Sequence, residues 1–303
     1  MAIVLYREPE LEDPILIASW PGIGNIGVIA VDTLRRALKA EELGEIEPWE
    51  FFYPKRVVIR DGILKTLAFP SSKFYFKRTQ NCDLLFFIGE EQPDSGTKLY
   101  AEGAKAYKMA NLVVDVALKF GCRRIYTSGA AVAPIHHTTS PRVWAVPNNS
   151  LLLKEMKNFQ NVVLMSDIEG HGGQGNITGL NGLLLGVAKR RGVDAVCLMG
   201  EIPIYLHGFP IPYPKGSRAV VEVLSKILGV TVDMTELDVF VERTGKEIEA
   251  VYSRLPLEIR EHLDKLVSMS YRGEVESGPI TEEDKKKILQ EIDKLFKRET
   301  SDD

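Results

Sequence analysis

Residues 15–37, ILIASWPGIGNIGVIAVDTLRRA, carry the reading that decides the fold. Ile15 to Ser19 is an unbroken apolar run of the kind that fills a buried strand, and Pro21-Gly22 turns the chain. Ile26, Ala30, Leu34 and Ala37 then recur at helical spacing, which predicts a helix continuing until Gly44. Between the two elements, Gly22, Gly24 and Gly27 satisfy G-x-G-x-x-G, whose bare amides at a helix start can hold a pyrophosphate. A dinucleotide fold would next need a parallel strand ending in an acidic residue about 20 positions on. The chain offers instead Pro48, Trp49 and an Asp61-Gly62 turn, so close packing of strand against helix explains the glycines more simply.

The same alternation extends along the chain. Arg56 to Arg60 and Ile63 to Phe69 flank Asp61-Gly62, a pair suited to a tight hairpin turn, with Phe74 to Lys77 as a third strand. Asp83 to Gly89 reads as a buried strand, followed by a helix with Tyr100, Ala104, Tyr107, Val114 and Leu118 on one face, ended by Gly121. Strands at Ile125 to Ser128, Val162 to Met165 and Ala195 to Met199 alternate with helices at Leu151 to Lys157 and Leu180 to Arg191. The expected fold is a three-layer α/β sandwich with a mixed sheet. Pro203, Pro210, Pro212 and Pro214 read as a rigid surface crossing. The expected organisation is an α/β core over residues 1–215 and a helical C-terminal region over 216–303.

The 303 residues are long enough to bury a sizeable core, and 38 basic against 42 acidic side chains give a net charge of −4. No general field draws such a chain to nucleic acid or anionic lipid. Cys82, Cys122 and Cys197 are odd in number and far apart, which favours a reducing cytoplasm over a disulfide framework or a zinc knuckle. With no signal-like start and no apolar run of about 18 residues, the expectation is a soluble cytoplasmic protein with no membrane contact.

A second glycine cluster, HGGQGNITGLNG, spans His171 to Gly182. Amides around Gly172, Gly173 and Gly175 can converge on an anion or a carbonyl, though no Lys-Ser or Lys-Thr follows to make a P-loop. Together with Gly22, Gly24, Asn25, Ser128, Gly129, His171 and Asn181, these loops are the expected pocket or anion site. His136 and His137 are adjacent and lack the spacing of metal ligands, so hydrogen-bonded loop histidines are expected there. No G-x-S-x-G elbow surrounds Ser128. Neither a catalytic residue nor a metal or other cofactor is expected.

At the C-terminal end, Thr281 can cap a helix carrying Ile288, Leu289, Ile292, Leu295 and Phe296 as one apolar stripe. Lys285 to Lys287 follow Glu282, Glu283 and Asp284, so the helix start is self-compensated. Ile288, Ile292, Leu295 and Phe296 are the expected partner-binding face.

Three motifs in fixed order, WPGIGNIG at Trp20 to Gly27, SGAAVAP at Ser128 to Pro134 and GNITGLNGLLL at Gly175 to Leu185, resemble the proteasome assembly chaperone 2 family, archaeal branch. The resemblance spans roughly residues 1–230. It implies a fold similar to the phosphorylase and hydrolase-like sandwich, used as a protein-binding scaffold, and homo-oligomers. It implies proteasome subunits or another assembly factor as partners. Gly22, Gly24, Gly27, Gly129, Gly179 and Gly182 carry over as fold-defining or pocket-lining positions. Proteasome-docking tails of such partners end in a hydrophobic residue, a tyrosine and one more residue, whereas this chain ends Glu299-Thr300-Ser301-Asp302-Asp303. Docking is therefore expected through the tail helix or a partner. The alternative is a phosphorylase, hydrolase or ATP-dependent carboxylate-amine ligase acting on a small anion at the glycine loops.

Overall fold

The computed structural model describes residues 2–93, 103–167 and 175–269. In chain order its strands are β1 (Ile3–Leu5), β2 (Ile15–Ser19), β3 (Glu41–Ile46), β4 (Arg56–Arg60), β5 (Ile63–Ala68), β6 (Ser72–Lys77), β7 (Leu84–Gly89), β8 (Arg124–Ala133), β9 (Val143–Pro147), β10 (Val162–Leu164) and β11 (Asp194–Pro203). The helices are α1 (Ile26–Ala37), α2 (Gly103–Lys119), α3 (Ser150–Met156), α4 (Gly179–Arg190), α5 (Pro214–Leu228), α6 (Thr235–Ser253) and α7 (Leu257–Met269).

Nine strands form one mixed sheet in the order β1-β3-β6-β7-β2-β8-β11-β9-β10, and β4 with β5 form a separate hairpin. At the centre, β7, β2, β8 and β11 run parallel, while β3 and β6 pair antiparallel to both their neighbours and β9 pairs antiparallel to β11 and parallel to β10. Alternation along each strand divides the core. Leu16 and Ala18 of β2 face α2 and α4, whose Met109, Val113, Leu180 and Leu184 cover them. Ile17 faces the opposite layer, where Ile26, Val31 and Leu34 of α1 pack with Val220, Val221 and Leu224 of α5. Sheet and two helical layers give the three-layer α/β sandwich, and α6 and α7 follow it as C-terminal helices among the described residues.

Several local expectations need correction. The helix after Gly27 stops at Ala37, Lys39 adopts φ 53° in the turn that follows, and Glu41 to Gly44 belong to β3. Leu43, Gly44 and Ile46 are buried, and the segment pairs with β1 and β6 across a register shift between Glu42 and Gly44, so strand pairing won over the helical period. The third strand after the hairpin, β6, joins the main sheet between β3 and β7. Of the expected face on α2, Val114 is buried, Ala104, Tyr107 and Leu118 are exposed and Tyr100 lies outside the described residues; Ala106, Met109, Ala110, Val113 and Ala117 carry the buried stripe with Val114. The Pro-rich crossing buries Tyr205 and Tyr213, so it is more than a surface connection. Strands β1 and β9 carried no signal strong enough to be read beforehand. Among the described residues, no helix is long and apolar enough to cross a membrane.

Candidate functional site

Parallel strands present their carboxyl ends on one edge, and ligands of open α/β sheets bind at that edge. Here it holds a cleft of about 290 Å³ lined by Gly22, Gln92, Gly129, Trp144, Thr178 and Asn181, with Ile23, Met165, Cys197 and Met199 adding apolar wall. Asn181, at the start of α4, fixes the floor. Its Oδ1 accepts from the Trp20 amide at 3.1 Å and the Thr127 hydroxyl at 3.3 Å, and its Nδ2 donates to the Trp20 carbonyl at 3.3 Å. Gln92 joins the two glycine segments by donating to the Pro21 carbonyl and accepting from the Leu180 amide at 3.0 Å.

The sequence-derived positions thus separate. Gly22, Gly129 and Asn181 line the cleft. Gly24 has φ +59°, and its carbonyl accepts from the Tyr213 amide at 2.7 Å, so it ties the turn to the start of α5. Asn25 adopts φ 51°, and its amide closes the turn onto Gly22 at 2.9 Å. Ser128 is buried with its hydroxyl unpartnered, while its carbonyl accepts from Ser19 Oγ at 3.1 Å. His171, Gly172 and Gly173 lie outside the described residues, as do Ile288, Ile292, Leu295 and Phe296.

Chemically, the described lining offers amide and hydroxyl groups and apolar surface. Its thiol, Cys197, is fully buried, and burial pushes its pKa up to about 12, so it stays neutral and un-nucleophilic at pH 7. Beside the cleft stands Glu201, 1% exposed, which sequence reasoning missed. Its Oε1 accepts from Arg142 Nε and Nη2 at 3.1 and 2.9 Å and from Trp144 Nε1 at 2.9 Å, and its Oε2 accepts from the Arg142 amide at 2.8 Å. Four donors on one carboxylate hold the Trp144 ring against the cleft. A lone carboxylate inside the otherwise apolar run from Ala195 to Pro203 was the available signal.

A second polar cluster lies where α6 and α7 meet the loop after β8. The Tyr205 hydroxyl accepts from the His137 amide and bonds His137 Nδ1, both at 2.7 Å, which leaves Nε2 to donate to Glu249 at 2.9 Å. The His136 ring lies 4.1 Å from that of His137, with the Tyr252 ring edge-on to it at 5.2 Å. Asp264 stands 3.8 Å from His136 Nε2, and Lys215 donates to the His137 and Thr138 carbonyls at 2.8 and 2.9 Å. Burial, with His137 close by, lowers the His136 pKa to about 4 from 6.5.

In the unfolded chain His136 takes its proton near pH 6.5, whereas the folded protein resists it until about pH 4. The unfolded state therefore binds more protons across that window, and stability falls as pH drops through it. Urea unfolding should show His136 costing on the order of 2 kcal/mol between pH 6.5 and 4. His136→Gln should remove that part of the slope, and equal slopes in both proteins would contradict the assignment.

The PAC2 family model matches residues 16–251. Uncharacterized protein MJ1210 of Methanocaldococcus jannaschii is 27% identical over 229 residues, covering 75% of this chain and 79% of that protein. The crystal structure of Pyrococcus furiosus PbaB, described as an archaeal proteasome activator, is 29% identical with a TM-score of 0.66, covering 82% of this chain and 97% of that one. Pyrococcus furiosus PbaA, described as an archaeal homolog of proteasome-assembly chaperone, shares the fold at 22% identity and a TM-score of 0.60, covering 89% of this chain and 99% of that one.

Proposed function

Since the chain belongs to the PAC2 family, we propose that it works as a chaperone-like assembly factor of the archaeal proteasome-assembly type, binding protein partners as a homo-oligomer in the cytoplasm. The observation that carries this reading is the 29% identity to PbaB along nearly the whole of that proteasome activator. Proteasome subunits or another assembly factor are the proposed partners. The cleft supports the same reading, because the amides, hydroxyls and apolar wall of its described lining suit holding a peptide segment. Gly22, Gly129 and Asn181 are its proposed pocket residues.

The proposed contact with the outside partner is the tail stripe Ile288, Ile292, Leu295 and Phe296, since an amphipathic helix can lay such a face into a groove. Ile292→Asp should abolish co-purification with the proteasome subunits of the source organism while leaving the mass of the chain's own oligomer unchanged. Subunits retained by the variant would take the contact off the stripe. Loss of both together would assign the stripe to the oligomer.

A further inference from the structure

A two-stranded hairpin buries too little to stand alone in water, yet β4 and β5 form a sheet of their own. Val57 pairs with Leu67 and Ile59 with Leu64 across a register shift after Val58, which puts four apolar side chains on one face. Each is between 40% and 65% exposed. Beside the hairpin base stand Trp49 and Tyr53, 65% and 87% exposed. These six side chains open on the order of 600 Å² of apolar surface, at the upper limit for an ordinary monomer and close to the ~800 Å² that one side of a standard interface buries.

Charge says what kind of surface covers it. Lys55, Arg56, Arg60 and Lys65 against Asp61 give residues 55–68 a charge of +3, with Lys55 paired to Glu91 at 2.5 Å, so the rest of this −4 chain carries −7. Residues 2–13 and 41–50 hold nine acidic side chains against Arg7 alone. Five of them form ion pairs: Glu8 with Lys119, Asp13 with Arg123, Glu41 with Arg7, Glu42 with Lys73 and Glu50 with Lys108. Glu10, Glu12, Glu45 and Glu47 stand outside those pairs. This acidic region surrounds β1, the terminal strand of the nine-stranded sheet, which pairs with β3 on one side and has no strand on its other edge among the described residues. Val4 and Tyr6 are exposed along it.

We propose that the hairpin of one protomer docks on the β1 edge of a second copy, its apolar face over Val4 and Tyr6 and its cations among the surrounding carboxylates. The inference rests on the homo-oligomer reading and names its interface. Two different surfaces meet, so the contact is heterologous and builds a ring when the rotation closes. Pairing hairpin with hairpin would instead bring +3 against +3. The tail stripe is left for the outside partner.

The full-length chain tests this by light scattering at micromolar concentration. Wild type should give a multiple of the 33.9 kDa chain mass. The hairpin variant, Ile59→Asp with Leu64→Asp, and the edge variant, Val4→Lys with Tyr6→Lys, should each run at the mass of one chain. All four positions are exposed, so circular dichroism should stay that of wild type, while the melting temperature should lose its dependence on protein concentration. An equimolar mixture of the two variants should restore a dimer, because each retains the surface the other has lost. A multimeric hairpin variant, a multimeric edge variant or a mixture that stays monomeric would overturn the docking while sparing the oligomer. A monomeric wild type would remove the oligomer reading itself.

Discussion

Gly27→Ala should lower the free energy of unfolding by about 3 kcal/mol or more, and Gly27→Val should leave little soluble folded protein. A Cβ at Gly27 would sit 2.2 Å from the Ser128 carbonyl oxygen and 2.5 Å from its carbon. Both atoms belong to the backbone of β8, which is hydrogen-bonded to β2 on one side and β11 on the other, so neither can move aside cheaply. Gly22 is the internal control. It has an extended φ of −160°, and nothing lies within 4 Å of the position its Cβ would take. Gly22→Ala should change stability by less than about 0.5 kcal/mol. Urea unfolding of both variants checks the pair, and a Gly27→Ala protein as stable as wild type would refute the close-packing account.

Glu201→Leu should cost about 3 kcal/mol, because it strands donors that converge on a buried carboxylate. The Arg142 side chain is 44% exposed and can turn to water, which limits its share. The Arg142 amide and Trp144 Nε1 keep no such escape without moving β9. Glu201→Gln preserves volume and one good acceptor, so it should cost less than half as much. Chemical denaturation measures the loss, and Trp144 emission should report the freed ring at the cleft. Equal stability of wild type and Glu201→Leu would remove the carboxylate from the account of how the cleft wall is held.

Much of the sandwich was legible because its elements carry strong local patterns. Ile15 to Ser19, Leu84 to Gly89 and Ala195 to Met199 are apolar runs with turns behind them, and each is a buried strand. Strand β3 was missed because Glu41, Glu42 and Glu45 interrupt its apolar residues, and because the helical period of α1 runs on past its true end. The site was legible only in part. Glycine spacing located Gly22, the family-like segment SGAAVAP brought in Gly129, and Asn181 came with the second cluster, but Gln92 joins them from 71 residues after Pro21 and 88 before Leu180. The tie between His137 and Glu249 spans 112 residues. Tertiary pairings of that range leave no periodic trace in one sequence, whereas the exposed hairpin was readable as a turn and not as an unmatched surface.

The most direct test of the assembly-factor reading is native mass spectrometry of the full chain co-expressed with the proteasome subunits of its source organism. The account predicts complexes whose masses contain both proteins, with no phosphorolysis, hydrolysis or ligation near the median enzyme turnover of about 10 per second. The chain running free of those subunits at micromolar concentration while turning over a small anion at such a rate would contradict it.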